Sequence, residues 1–155
     1  MMAQPKGTIL LTGANGSLGS AIVSEIASRP EFAAYHGIYA VRNASAAPAL
    51  KSALQAGSRP HSYDILSLDL ADLESVRETA TAINARIAAG GIPHIRAIIL
   101  NAAYQEFDTQ TWTADGFDAS FASNYLGHWL LTLLLLQSLD REYGRVVVIG
   151  SLAHE

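Results

Sequence analysis

Three glycines at a regular spacing, Gly13-x-x-Gly16-x-x-Gly19, interrupt an apolar run and open a helical one. Thr8-Ile9-Leu10-Leu11-Thr12 before them reads as a buried parallel strand, and Leu18, Ile22, Val23 and Ile26 after them repeat at helical spacing. A strand, a glycine turn and a helix in that order suit a phosphate. Glycines let the backbone approach an anion without Cβ clashes, and the helix start offers unpaired N–H groups at a positive dipole end. The candidates on this turn are Gly13, Asn15, Gly16, Ser17, Leu18 and Gly19. The plainer alternative is a turn that merely joins a strand to a helix.

Further polar residues stand where predicted strands end. Arg42 follows Gly19 by 23 positions, the distance at which dinucleotide sites usually carry an acid for a ribose 2′-hydroxyl. A guanidinium there pairs with a 2′-phosphate that an acid would repel; otherwise it is a solvated arginine. Asp69, with Leu70 beside it, either accepts from an adenine amino group or caps the next helix. Asn101 closes another strand, as a ligand contact or as an Asx turn. Ala102 and Ala103 after it leave room for a flat ring. Asn124 falls inside a helical pattern among Tyr125, Leu126, Trp129 and Leu130. It is expected to be buried, bulging the helix or holding a water, unless it is an ordinary polar helix position. Ser151 ends the last strand, as a hydrogen-bond donor to a carbonyl or as a turn serine. His154 reads as a surface or supporting histidine. Ile149-Gly150-Ser151-Leu152-Ala153 is not the nucleophile elbow of a serine hydrolase.

The elements that would hold these residues alternate. Strands are expected near residues 8–12, 36–41, 62–68, 95–100 and 145–151. Helices are expected over 18–28, over 44–56 with Gly57 at C′, from about 70 to the Gly90-Gly91 pair, and over 114–139. Residues 102–113 read as a loop. Val/Ile-rich strands alternating with helices predict an α/β, doubly wound parallel sheet (a Rossmann fold) in the order 3-2-1-4-5, with a crevice at the strands' carboxyl ends. Residues 1–155 are expected to make up one such domain. Half of the residues are hydrophobic and 15% are charged, enough apolar content for a core. The net charge of −4 argues against a nucleic-acid footprint. With no cysteine, thiolate metal sites and cysteine nucleophiles are excluded, and no metal site is expected. The apolar runs are too short for a membrane span. A soluble, intracellular and so cytoplasmic protein is the expectation.

These residues together resemble the short-chain dehydrogenase/reductase family over essentially the whole chain. Thr12 to Gly19 looks like its cofactor motif, Asp69-Leu70 like its adenine-contacting pair, and Asn101-Ala102-Ala103 like a shortened Asn-Asn-Ala-Gly. Asn124 and Ser151 match the helix asparagine and the serine of its catalytic tetrad. The runs Asn124 to Leu131 and Ser151 to His154 are most similar to retinol-dehydrogenase-type and fungal members, in which an arginine at the place of Arg42 marks NADP preference over NAD. The middle glycine departs from the single-domain branch, which usually has it at position 17. The resemblance implies NADP(H)-dependent oxidoreduction of a small-molecule carbonyl/alcohol pair, and a homo-oligomer through the helix around Tyr125 to Leu139. The family's Tyr-x-x-x-Lys is missing: the two lysines, Lys6 and Lys51, follow no tyrosine at that spacing. The expectation is therefore a truncated, cofactor-binding half of a reductase, ending after the fifth strand. A non-catalytic NADP-binding or interaction module, or an inactive truncated product, is the alternative.

Overall fold

The computed structural model describes residues 5–57 and 60–151. Five strands carry the predicted alternation: β1 Gly7–Thr12, β2 Tyr35–Val41, β3 Ser62–Ser67, β4 Ile95–Leu100 and β5 Arg145–Val148. All pair in parallel, in the order β3-β2-β1-β4-β5. The helices between them are α1 Ser17–Ser28, α2 Pro48–Ala56, α3 Leu73–Ala88, a single turn α4 Ala119–Phe121, and α5 Gly127–Leu135. The doubly wound Rossmann order is thus the predicted one. Residues 152–155, His154 among them, lie outside the described residues.

The period of two along each strand divides the core. Leu10, Ile38 and Ile98 point into one layer with Val76, Ile83, Leu131 and Leu135 from α3 and α5. Leu11, Tyr39 and Val41 point into the other with Val23, Leu50 and Ala53 from α1 and α2. Truncating a fully buried leucine such as Leu131 to alanine removes about 2–5 kcal/mol. At the far side of the sheet His36 lies between Ser62 Oγ and Asp64 Oδ2, 2.8 Å from each, and Arg86 reaches Asp64 at 2.6 Å. This clasp holds β3 against β2. Strand β5 is exposed on both faces, Val148 to 71% on one and Val147 to 42% on the other.

Several boundaries differ from the sequence reading. Helix α2 begins at Pro48 rather than residue 44, because proline fits the first helical position, where its missing N–H is not needed. Gly57 ends that helix with φ −61°, so it is not the left-handed C′ residue expected. Helix α3 starts at Leu73. Its cap is Asp72, whose Oδ1 accepts from Glu74 N at 2.9 Å and Ser75 N at 3.3 Å. The fourth helical segment starts at Ala119 instead of 114, after a turn at Gly116 with φ +79°. Asp118 caps it, accepting from Phe121 N at 2.8 Å. No helix among the described residues is long and apolar enough to cross a membrane.

Candidate functional site at the carboxyl ends of the strands

The carboxyl ends of β1, β2 and β4 surround an open cleft of about 1060 Å³. Its lining brings together Gly13, Asn15, Gly16, Ser17, Leu18, Gly19, Arg42, Asp69, Leu70, Asn101, Ala102, Ala103, Asn124 and Ser151. Every candidate site residue that lies among the described residues therefore reaches one cavity. Residues from 13 to 151 meet there because a parallel sheet sends all its strands out on the same side.

The glycine turn is built as a cradle. Gly13 has φ +68°, and a Cβ on it would stand 2.7 Å from Ala102 Cα. A Cβ on Gly19 would collide with the Gly13 carbonyl oxygen, so only glycine lets α1 sit this close to the turn. Gly16 stands at the N-cap of α1 and no side chain caps that helix. Its first N–H groups face the cleft uncapped, which is the arrangement that receives an anionic group. Asn15 does other work: its Oδ1 accepts from Leu50 N at 3.2 Å and caps α2, whose own cap residue is Ala47.

Asn101 is a clamp. Its Nδ2 donates to Thr12 O at 3.0 Å and Gly13 O at 3.3 Å, tying the end of β4 to the turn after β1. It makes no Asx turn. Asp69 does: its Oδ1 accepts from Ala71 N at 2.9 Å, and the helix cap belongs to Asp72. Leu70 is buried and forms the cleft wall beside it. Arg42 is exposed, with its guanidinium carbon 5.9 Å from the centre of the Tyr104 ring.

Asn124 corrects the expectation of burial. It is exposed, because the helix there widens into a π turn over Ala122–Leu126 that rolls the side chain out to the loop after β4. Asn124 Nδ2 donates to Tyr104 O and its Oδ1 accepts from Tyr104 N, both at 2.7 Å. Its neighbours Tyr125 and Trp129 are exposed as well, to 59% and 52%. Ser151 lies at the rim, exposed.

Tyr104 and His128 also line the cleft without having been candidates, and Thr12, which entered only as the start of the glycine motif, joins them there. Thr12 Oγ1 accepts from Asn101 N at 3.0 Å and Ala102 N at 3.1 Å, and lies 2.8 Å from His128 Nε2. Burial pushes the His128 imidazole down, against the upward pull of the Asn124 carbonyl, so the ring is neutral. The hydrogen bond to Glu106 raises the Tyr104 phenol above its ordinary range, so it stays protonated. A usable signal existed for His128. It is a polar residue in an apolar helix, one turn after Asn124 and on the same side. Among the described residues no group of three His, Asp or Glu is placed to hold a metal ion.

The family model described as short chain dehydrogenase matches residues 7–155. The short-chain dehydrogenase iccH of Talaromyces variabilis is 52% identical over 153 residues, covering 97% of this chain and 42% of that protein. Protochlorophyllide reductase A of Arabidopsis thaliana is 38% identical over 152 residues, covering 95% of this chain and 35% of that one. The chain thus spans about two fifths or less of these relatives' length. Among solved structures, a metagenomic short-chain oxidoreductase in complex with NADP superposes with a TM-score of 0.75 at 20% identity, covering 97% of this chain and 64% of that one. That likeness is one of fold.

Proposed function

This chain belongs to the short-chain dehydrogenase family, and we propose that it is the NADP(H)-binding portion of an oxidoreductase acting on a carbonyl/alcohol pair. The observation that carries the proposal is the convergence of an uncapped helix N-terminus, a glycine cradle and Arg42 on one cleft. Ser17, Leu18 and Gly19 would hold the pyrophosphate with backbone N–H groups, over a turn that Gly13 and Gly16 keep free of side chains and that Gly16 N closes by donating to Gly13 O at 3.0 Å. Arg42 would take the 2′-phosphate, and Asp69 with Leu70 the adenine. Asn101, Ala102 and Ala103 would floor the ring at the far end. Asn15 would serve the site indirectly, through its bond to α2. The nicotinamide, when bound, supplies a hydride. The chain's part is to orient the reactants: the Ser151 hydroxyl would donate to the substrate carbonyl oxygen, and Asn124 would hold the wall opposite through Tyr104. NADP is favoured over NAD because Arg42 stands where a 2′-hydroxyl acceptor would need to be an acid. A cytoplasmic setting belongs to the same proposal.

Calorimetric titration tests it. NADPH should bind more tightly than NADH by about 1–3 kcal/mol, the scale of a charge-assisted contact. Arg42→Asp should abolish or reverse the preference. Equal affinities in the unaltered chain would remove the NADP assignment, and no binding of either would remove the nucleotide site.

A further inference from the structure

We propose that Tyr104 is a specificity-determining residue of the cleft, holding Arg42 across its mouth with the guanidinium edge presented to a 2′-phosphate. The proposal rests on Arg42 being the residue that takes that phosphate. Arg42 leaves β2 and Tyr104 leaves β4, strands that lie on opposite sides of β1. The contact at 5.9 Å therefore bridges the two lips of the cleft, and both residues line it.

Arg29, Arg77, Arg86 and Arg96 each pair with a carboxylate. Among the described residues no carboxylate forms an ion pair with Arg42, Arg141 or Arg145. Of these three, Arg42 is the one on the cleft, with its guanidinium beside an aromatic ring. A carboxylate would occupy the N–H edge of the guanidinium, which is the part that recognises phosphate. An aromatic ring attracts the cation through its face and leaves the edge donors unused. The ring thus confines a long, exposed side chain without consuming the groups it needs, and so lowers the ordering cost of binding.

The ring itself is held at both ends. The backbone N–H and carbonyl of Tyr104 are clipped by the Asn124 amide at 2.7 Å each. Its hydroxyl donates to Glu106 Oε1 at 3.0 Å, and the Glu106 carboxylate accepts from Thr111 N at 3.0 Å and Thr111 Oγ1 at 2.7 Å. The π turn that exposes Asn124 is thereby connected, through Tyr104, to the cation that would choose the cofactor. Such a linkage is not visible in any single motif.

The test titrates adenosine 2′,5′-bisphosphate and 5′-AMP into the full 155-residue chain, unaltered and as Tyr104→Leu and Tyr104→Phe, with the unfolding midpoint of each recorded. The unaltered chain should prefer the bisphosphate. Tyr104→Leu should reduce that preference by roughly two- to fivefold, the scale of an exposed cation–π contact. Tyr104→Phe keeps the ring face and should keep the preference. A ratio between two ligands is unmoved by a uniform loss of stability. Binding of neither nucleotide overturns the site and this proposal together. Binding of both without preference overturns the role of Arg42 and this proposal with it. A preference that is unchanged or increased in Tyr104→Leu, or lost equally in Tyr104→Phe, overturns the role of the Tyr104 ring and leaves Arg42 standing. Should Tyr104→Leu unfold, the Tyr104 ring protons of the unaltered chain carry the test. They should shift further with the bisphosphate than with 5′-AMP, and equal shifts overturn the proposal.

Discussion

Thr12 Oγ1 and His128 Nε2 stand 2.8 Å apart, joining the last residue of β1 to the second residue of α5. The threonine oxygen already accepts from Asn101 N and Ala102 N. Its own proton therefore goes to His128 Nε2, since the alternative acceptor, Ile99 O, is 3.5 Å away. Nε2 is thus the bare nitrogen of the imidazole, and Nδ1–H donates to Asn124 O at 3.3 Å. One neutral ring connects the glycine turn after β1 to the π turn, and its tautomer follows from the network.

Removing that ring should weaken the fold in a pH-dependent way. His128→Phe leaves the Thr12 hydroxyl without its acceptor and should cost about 1–3 kcal/mol at pH 7.5. Burial lowers the folded-state pKa of His128, while the unfolded value is about 6.5. The contribution of the neutral ring is complete above that unfolded value. It is lost as pH falls through the window below it toward the folded pKa, because the unfolded chain binds the proton first. Urea unfolding from pH 7.5 to 5.5 should show a shallower acid-side decline in His128→Phe. The decline should not vanish, because burial, helped by the charge of His36, lowers His61 as well. An identical slope in both proteins would place the titration elsewhere.

Two glycines of one turn should respond differently to the same substitution. Gly13→Ala meets both φ +68° and the Ala102 backbone at 2.7 Å. The left-handed conformation alone costs a side chain about 1–2 kcal/mol, and the clash adds to it, so this variant should unfold early and lose nucleotide binding. Gly16 has φ −71°, and its added Cβ would meet only the Gly13 carbonyl oxygen, at 3.4 Å. Gly16→Ala should therefore change stability by less than about 1 kcal/mol, an N-cap effect, yet reduce nucleotide affinity by placing a methyl on the floor of the cleft. Thermal unfolding and calorimetry on the pair check this. Equal loss of stability in both would show that the turn does not discriminate as described.

The exposed apolar surface should make the chain associate. Tyr125, Trp129 and Leu133 recur at helical spacing with exposures of 59%, 52% and 45%, and Val147 and Val148 add the two open faces of β5. A patch of that kind is a contact surface or an aggregation liability. Sedimentation at several concentrations should show self-association, and the unfolding midpoint should rise with concentration. A monomeric, concentration-independent transition would contradict it.

The sheet order and the cleft were legible because strand period and crossover handedness leave few alternatives. The roles of individual polar residues were less so. Asn15 and Asn101 sit where ligand contacts were expected, but their side chains hold Leu50 N and the Thr12 and Gly13 carbonyls. Both stand at the ends of elements whose backbone groups need partners, and sequence does not say which partner wins. Asn124 was readable as the residue that disturbs its helix. Its exposure was not, because a π turn shifts every side chain out of the 3.6-residue phase on which the burial argument relied. The link between Thr12 and His128 is not legible in sequence because its partners are 116 residues apart.

Catalysis should be absent from these residues on their own. The chain presents Ser151 and Asn124 on the cleft, and no tyrosine at the spacing to a lysine that the family uses. General acid catalysis contributes about a hundred- to ten-thousand-fold, and the missing positioning of substrate lowers the rate further. Residues 1–155 alone should therefore give no measurable NADPH oxidation with any aldehyde or ketone. Joining them to the C-terminal part of a relative that contains Tyr-x-x-x-Lys should yield activity. In that chimera Ser151→Ala should remove turnover while leaving NADPH affinity near its original value, because the role proposed for the serine is at the substrate carbonyl and not at the cofactor. Asn124→Ala should lower turnover and also loosen NADPH, because it releases Tyr104. Robust turnover by the 155-residue chain would show that the proton is delivered without the tyrosine. A chimera indifferent to Ser151→Ala would show that this serine is not the residue that orients the carbonyl.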